Sequence, residues 1–143
     1  MPTNSRNFQF SDKPILKFLP AFLMMLAIFL FSARPADPTP LSLIERIIYK
    51  GGHVIGYSLL ALSYWRAFRL NQNMRWIAWL LAVLYAVTDE YHQSFVPGRH
   101  PTIFDVLIYD NIGALLSLWL AHKFLKQKQP ASQNLVVEQE SKC

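Results

Sequence analysis

Four apolar stretches run along this chain, and the shortness of the third constrains the fold more than any other feature. They cover residues 18–33, 51–65, 76–87 and about 102–122. A helix needs about 20 residues to cross roughly 30 Å of hydrocarbon, whereas the third stretch reaches only about 18 Å. It can therefore cross a bilayer only if its helix continues through Asp89, Glu90 and His92. The fourth stretch likewise has to carry Asp105 and Asp110.

The composition favours lipid over water as the solvent of this chain. Of its 143 residues, 52% are hydrophobic and only 16% are charged, against about 25% charged residues in ordinary soluble domains. A soluble protein so apolar would expose large patches and aggregate. The net charge of +5 does not indicate a nucleic-acid partner, because the basic residues form short clusters between the apolar stretches. The single cysteine, Cys143, excludes an intramolecular disulfide.

The positions of the lysine and arginine residues predict the orientation. They are concentrated before the first stretch, between the second and third, and after the fourth, and such segments face the cytoplasm. We therefore predict an all-α integral membrane bundle of four transmembrane helices in the plasma (inner) membrane, with both termini in the cytoplasm. Its parts are a cytoplasmic N-terminal segment (1–14), the four-helix domain (15–122) and a polar, disordered cytoplasmic tail (123–143).

A cleaved signal peptide is the alternative interpretation of residues 1–33. The apolar stretch is long for a signal peptide, and Arg34 and Pro35 stand where cleavage would need small residues. Cleavage would also leave only three spans and disturb the charge pattern. We therefore expect the first helix to be retained.

The first outer loop carries an amphipathic segment. Thr39 and Pro40 suit the N-cap and the first position of a helix, and apolar residues recur through residues 41–50. Gly51 and Gly52 then interrupt the helical pattern. These features predict a short interfacial helix on the outer leaflet, separated from the second transmembrane helix by the two glycines.

Polar residues collect at the outer ends of the second, third and fourth helices. They are Lys50, His53 and Tyr57, then Asp89, Glu90, His92 and Gln93, and finally Asp105 and Asp110. Spacings of three and four residues place most of them on one face of their helix. Between the third and fourth helices, Pro97 and Gly98 indicate a turn in which Gly98 can adopt a positive φ. Arg99 follows that turn, and Thr102 can cap the fourth helix.

Charged groups in these positions need partners. An isolated Asp, Lys or Arg near the middle of a bilayer costs about 2.5–3.5 kcal/mol on insertion scales. The carboxylates are therefore expected to face the bundle interior and to pair with Lys50 or Arg99. Two interpretations stay open: a functional site, which is the default for intramembrane ionisable residues, and a structural ion-pair network that fixes the helix packing.

The segment that follows the third stretch resembles the signature of a known family. It consists of Asp89-Glu90-Tyr91-His92-Gln93-Ser94-Phe95-Val96-Pro97-Gly98-Arg99 followed by Asp105 and Gly113, and the upstream Lys50, His53 and Tyr57 are similar to a second motif of that family. On these residues the chain resembles the VanZ-like membrane proteins over about residues 15–122. The resemblance implies about four spans and carries over as family positions Lys50, His53, Tyr57, Asp89, Glu90, Gln93, Arg99, Asp105 and Gly113.

The chain departs from the family pattern in the fourth helix. The interval from Asp105 to the polar residue before Gly113 is one residue longer than the pattern, so either Asp110 or Asn111 can be the equivalent. These two residues point about 100° apart on an α-helix. The founding family member is linked to low-level resistance to the glycopeptide teicoplanin, so the resemblance also implies a role at the cell envelope.

The first functional hypothesis is an enzyme that acts on a phosphate-bearing or lipid-linked envelope substrate. Arg99 would bind an anionic group, and Asp89 or Glu90 would act as general base or acid, with His53 or His92 as partner. The predicted catalytic residues are Asp89, Glu90, His53, Arg99 and Asp105, and the predicted ligand-binding residues are Lys50, Tyr57, His92, Gln93, Asp110 and Asn111. Ser94 lacks the sequence context of a nucleophile.

The other hypotheses use the same residues without catalysis. In one, a non-enzymatic binder recognises a lipid headgroup, a glycopeptide or a partner protein. In another, His53, Glu90, Asp89 and His92 bind zinc, although they form no compact ligand motif. A proton-coupled transporter would need polar groups on both sides of the bundle. We predict the lipid bilayer and a lipid headgroup or envelope precursor as partners, with no metal, no cofactor and no nucleic acid. The sequence does not specify an oligomeric state.

Overall fold

A computed structural model describes residues 14–36, 42–99 and 101–127, and its regular structure there is helical. The helices are α1 (Pro14–Ser32), α2 (Leu43–Ala67), α3 (Arg75–Gln93) and α4 (Asn111–Gln127). A 3₁₀ turn, Gln72–Met74, precedes α3, and a π-helical segment, Asp105–Asp110, leads directly into α4. Within these ranges the predicted all-α class with four helices is confirmed. The N-terminal segment and most of the tail lie outside the described residues.

The predicted interfacial helix is wrong, because its residues form the first two turns of α2. This helix runs without a break through Gly51 and Gly52. It begins with a capping box in which the Ser42 hydroxyl accepts a hydrogen bond from the Glu45 N–H at 3.3 Å and the Glu45 carboxylate accepts one from the Ser42 N–H at 2.8 Å. The expected cap at Thr39 and Pro40 lies outside the described residues.

The continuity of α2 has a tertiary cause. A glycine inside a helix costs only about 1 kcal/mol relative to alanine. The side chains on either side of the two glycines, Tyr49 and His53, are hydrogen-bonded to α3 and to the π-helical segment. These contacts require both side chains to face the bundle, which a continuous helix provides.

Helix α2 is the centre of the bundle, because it packs against each of the other three helices. The buried stripe of α3 that faces the interior begins with Ala78, Ala82 and Ala86, each at most 1% exposed. Small residues at this spacing let helices approach closely. The same stripe continues into the polar residues Asp89 and Gln93, which are also buried. Helix α3 thus extends beyond the third apolar stretch, as the sequence required.

The closest approach between helices occurs at Gly113 of α4. A Cβ atom there would lie 2.4 Å from the Val54 carbonyl oxygen of α2 and 3.0 Å from the Val54 Cα. The Ser58 hydroxyl donates a hydrogen bond to the Gly113 carbonyl at 2.8 Å. Glycine is therefore required by the backbone contact itself.

The outside of the bundle is apolar on every helix. Large exposed side chains include Phe22, Leu26, Ile55, Leu84 and Leu116. By length and composition, one helix of the described ranges is apolar enough to cross a membrane; it comprises residues 15–32 of α1. A signal sequence near an N-terminus has the same properties.

Candidate functional site

A cluster of polar side chains lies at one end of the bundle, where the C-terminal ends of α1 and α3 meet the N-terminal parts of α2 and the π-helical segment. Consecutive helices run in opposite directions, so these four ends come together. The side chains joined there by hydrogen bonds or ion pairs are Ser32, Tyr49, Lys50, His53, Tyr57, Asp89, Gln93, Asp105 and Asp110. Seven of these nine were singled out from the sequence.

Asp89 is the centre of the first hydrogen-bond network. Its Oδ2 atom accepts hydrogen bonds from the hydroxyl of Ser32 at 2.7 Å, the hydroxyl of Tyr57 at 3.2 Å and the side-chain amide of Gln93 at 2.9 Å. The Tyr49 hydroxyl in turn donates to the Gln93 amide oxygen at 3.1 Å. Asp89 is 4% exposed, and these neutral donors hold its carboxylate in place, with no salt-bridge partner for it among residues 14–36, 42–99 and 101–127.

Two further pairs join α2 to the π-helical segment. The Lys50 ammonium lies 2.8 Å from an oxygen of Asp105 and 4.0 Å from the ring centre of Tyr109. The Nδ1 atom of His53 lies 3.0 Å from an oxygen of Asp110, a carboxylate that is 2% exposed. Lys50 therefore meets an acid, as expected.

The π-helical geometry explains how both acids face α2. Residues five positions apart on an α-helix point about 140° apart, so Asp105 and Asp110 would face different neighbours. The i→i+5 hydrogen bonding of a π-helix takes up one additional residue and brings such positions closer to alignment. The extra residue seen in the sequence between Asp105 and Gly113 coincides with this segment.

The adjacent residues Asp110 and Asn111 take different directions. Asp110 pairs with His53 in the cluster, whereas the Asn111 amide oxygen accepts a hydrogen bond from the Trp79 indole at 2.7 Å. Asn111 therefore does not join the cluster. Of these two residues, Asp110 is the one that lies in the cluster.

Glu90 and Arg99 both contact backbone groups. From the sequence, we expect Glu90 to act as a general acid or base and Arg99 to bind an anionic group. The Glu90 carboxylate accepts a hydrogen bond from the backbone N–H of Thr102 at the start of the fourth helix. The Arg99 guanidinium donates to the carbonyls of Phe31 at 2.9 Å and Arg34 at 3.2 Å. It thus binds the end of α1 rather than a carboxylate. Two of its five N–H donors are used in this way.

The turn before Arg99 holds the guanidinium in place. Gly98 has a φ of +76°, as its place in the predicted turn suggested. A Cβ atom at this position would lie 2.1 Å from the Ala36 carbonyl oxygen, and the Ala36 N–H donates to the Pro97 carbonyl at 3.1 Å. The turn is therefore packed on the segment that follows α1.

His92 does not take part in the network around Asp89. Its ring lies against that of Phe29, with 4.6 Å between the ring centres, and its Nε2 atom is buried without a hydrogen-bond partner among the described residues. The zinc hypothesis gains no support from this arrangement. Within the described ranges, no three His, Cys, Asp or Glu side chains come together so as to hold a metal ion.

Sequence reasoning missed Ser32 and Tyr49. Ser32 is the one hydroxyl-bearing residue of the first apolar stretch, and an isolated polar residue in a span is a signal for a buried contact. Tyr49 precedes His53 by four residues and Tyr57 by eight, so it shares their helix face. Both residues could therefore have been predicted from the sequence as members of the cluster.

A cavity of about 520 Å³ opens next to the cluster, between α1 and α2. Its walls are mostly apolar, and its polar side chains are Ser32, Arg34, Tyr49, His53, Tyr57, Asp89 and Arg99. In the described part of the chain, no hydrogen bond engages the His53 Nε2 atom. One oxygen of Asp89 and one of Asp110 are buried without partners among the same residues. The site therefore has unused hydrogen-bonding capacity.

These observations define a small all-helical protein with a polar site at one end of its bundle and an apolar exterior. A family model described as VanZ/LLP1 matches residues 14–126. The chain belongs to this VanZ-like family, and the resemblance seen in the sequence is confirmed. It matches no curated protein and no solved structure.

Proposed function

We propose that this protein is a multi-pass membrane protein that binds the headgroup of an envelope lipid at the polar cluster and performs acid–base chemistry on it. The observation that carries the proposal is the position of His53, between a buried carboxylate and the cavity. One ring nitrogen is paired with buried Asp110 at 3.0 Å, while the side chain lines the cavity between α1 and α2. A histidine held by a carboxylate on one side and open on the other is the arrangement of a general base.

The membrane part of the proposal rests on the distribution of polarity. The interior contains alanines, polar residues and a few large side chains such as Trp65, whereas many bulky apolar residues, among them Phe22 and Leu84, point outward. In water this surface would drive aggregation. In lipid it is the expected exterior, and buried ionisable residues are then a default functional site. The basic loops favour an orientation with both termini in the cytoplasm and the cluster on the outer side.

Contacts made by α1 support its retention in the fold. The Tyr64 hydroxyl lies 3.1 Å from the Met25 sulfur, and the Tyr85 hydroxyl donates to the Met25 carbonyl at 2.7 Å. Ser32 donates to Asp89, and Arg99 binds the last turn of the helix. Cleavage after α1 would leave these groups unpaired.

The residues have distinct roles in the proposed chemistry. His53 accepts a proton from water or a headgroup hydroxyl through Nε2 and later returns it. Asp110 holds the ring and stabilises its charged form. The Lys50–Asp105 pair fixes the neighbouring turn of α2 against the π-helical segment.

Lipid profiling of cells tests the proposal. Membranes of a deletion strain are compared after complementation with the wild type, His53→Gln and His122→Gln. The matched control, His122, lies near the end of α4, roughly 18 Å along the helix from Asp110. We expect a lipid difference that depends on the wild type, is lost with His53→Gln and persists with His122→Gln. An identical lipid profile in all strains would contradict the proposal.

A structural ion-pair network is the second candidate. It is favoured by Arg99, which binds two backbone carbonyls, and by Asp89, one oxygen of which accepts three hydrogen bonds. This candidate predicts that His53→Gln lowers the melting temperature of the purified protein and changes no lipid. A lipid effect at unchanged stability would exclude it.

A further inference from the structure

The structure assigns an occupant to the cavity between α1 and α2: we infer that it binds an anionic membrane phospholipid, with an acyl chain between the helices and the phosphate at Arg34 and Arg99. This inference rests on the proposed function and deepens it by naming the lipid class. It depends on the shape of the cavity, on the order of its lining and on its charge.

The lining changes from apolar to polar along the cavity. Its apolar walls are formed by residues of α1 and α2, among them Met24, Ile28, Ile55 and Leu59. Its polar side chains belong to the end of α1, the first half of α2, the C-terminal part of α3 (Asp89) and the loop that carries Arg99. A volume of about 520 Å³ lies in the range of sites that hold small organic ligands. An amphiphile with one chain and a polar end matches this order.

The cavity is open to the side of the bundle. Ile55 is 62% exposed and Leu59 is 46% exposed, although both line the cavity. In a membrane this opening faces the acyl chains of the surrounding lipids. A lipid can therefore move into the cavity without leaving the bilayer.

Charge complementarity selects the headgroup. The charged side chains of the lining are Arg34, Arg99 and Asp89, which leaves an excess of one positive charge. The Oδ2 atom of Asp89 already accepts three hydrogen bonds, and its Oδ1 atom is buried without a partner among the described residues. Arg99 uses two of its five N–H donors for carbonyl contacts, and its guanidinium lies 5.1 Å from the Tyr49 ring centre. Arg34 is exposed, with its guanidinium 4.8 Å from the Phe31 ring centre. Two guanidinium groups at one end of an apolar cavity suit a phosphate.

Two adjacent glycines provide a matched pair of variants. Gly52 lines the cavity, whereas Gly51 does not, and a Cβ atom on either would meet nothing within 4 Å. Gly52→Leu therefore places an apolar side chain at the cavity wall, with free space around its Cβ atom, and Gly51→Leu makes the same chemical change elsewhere. For the charge, Arg34→Gln is compared with Arg46→Gln, an exposed arginine of the first turns of α2 that is not part of the lining.

Retention of lipid by the full-length protein tests the inference. The detergent-purified protein is incubated with mixed micelles of phosphatidylglycerol or phosphatidylcholine, and bound lipid is measured by native mass spectrometry. We expect the wild type to retain phosphatidylglycerol in preference to phosphatidylcholine. Gly52→Leu should retain about tenfold less phosphatidylglycerol, and Gly51→Leu should retain as much as the wild type. Arg34→Gln should remove the preference, and Arg46→Gln should keep it.

Other results would overturn the inference. Wild-type retention by Gly52→Leu would show that the lipid binds elsewhere, and equal retention of the two lipids would reject an anionic headgroup. Displacement of phosphatidylglycerol by free inorganic phosphate at equal concentration would reject a lipid as the occupant. If cells show a His53-dependent lipid difference but the protein retains no phosphatidylglycerol, the inference fails while the proposed function stands. If the protein retains phosphatidylglycerol but cells show no His53-dependent lipid difference, the inference stands and the proposed function fails.

Discussion

The two ends of the helical bundle are held together by different interactions. At one end, Phe18 and Phe68 pack edge to face with 5.6 Å between ring centres, and Trp65 is completely buried, with its indole donating to the Asn71 carbonyl at 2.8 Å. At the other end, the buried groups are carboxylates such as Asp89 and Asp110. We call these the aromatic end and the polar end.

These two kinds of interaction contribute differently to the stability of the fold. Buried aromatic side chains dominate packing energies, so the aromatic end is explained by folding alone. Buried ion pairs contribute little net stability and are often replaceable by apolar residues. The polar end is therefore where a function best accounts for the residues, and variants at the two ends should separate stability from function.

The largest effect is expected at Gly113, which lies next to the polar end, three residues after Asp110. Gly113→Ala places a Cβ atom 2.4 Å from the Val54 carbonyl oxygen, and a backbone contact cannot give way without moving α4 from α2. We expect most of the folded protein to be lost, as measured by size-exclusion chromatography in detergent. The control Gly51→Ala, which meets nothing within 4 Å, should stay folded. A monodisperse Gly113→Ala protein of wild-type stability would refute this contact.

The next effect concerns the aromatic end. Trp65→Ala should lower the free energy of unfolding by about 3–5 kcal/mol, since it removes a fully buried side chain, as measured by thermal unfolding in detergent. Trp76, which is 56% exposed, supplies the control, and Trp76→Ala should change much less. Any folded Trp65→Ala protein should keep the His53-dependent lipid effect, and selective loss of that effect would break the proposed division between the ends.

A smaller stability effect is expected at the polar end. Asp110→Asn keeps the size of the side chain and removes its charge, so stability should change by about 1 kcal/mol, while the lipid effect should disappear because His53 loses its carboxylate partner. The adjacent variant Asn111→Ala removes the hydrogen bond to Trp79 and should cost a similar amount while leaving the lipid effect intact. Equal lipid effects in both variants would argue against the His53–Asp110 pair.

The smallest effect is expected at Ser94. Its exposed hydroxyl donates to the Tyr91 carbonyl of the same helix at 2.7 Å, and it takes no part in the cluster. Ser94→Ala should therefore leave both the melting temperature and the cellular lipid profile unchanged. Loss of the lipid effect in this variant would instead indicate a nucleophilic serine.

The sequence was sufficient to predict the helices and much of the polar end. Apolar length and periodicity gave the four helices, and spacings of three and four residues gave the shared face of Lys50, His53 and Tyr57. The same reasoning showed that α3 has to continue through Asp89. These features are local consequences of helix geometry.

What the sequence could not supply depends on tertiary contacts. The acceptors of Arg99 are backbone carbonyls 65 and 68 positions earlier in the chain, and no residue type marks a carbonyl as an acceptor. The contact of Asp110, rather than Asn111, with His53 depends on a π-helical segment that packs against α2. The low helix propensity of Gly51 and Gly52 predicts a break, whereas the contacts of Tyr49 and His53 on either side of them keep α2 continuous.

A disulfide cross-link between α1 and α3 tests most directly whether the polar end is assembled in a membrane. Ser32 and Asp89 are in hydrogen-bond contact, so Ser32→Cys combined with Asp89→Cys, in a Cys143→Ser background, should cross-link on mild oxidation of intact membranes and lose reactivity toward maleimide. Ser32→Cys combined with Leu84→Cys is the control, because Leu84 points outward and is 53% exposed. Cross-linking of the first pair alone is the predicted result. Two freely reactive thiols in the first pair, or removal of α1 from the mature chain, would contradict the account.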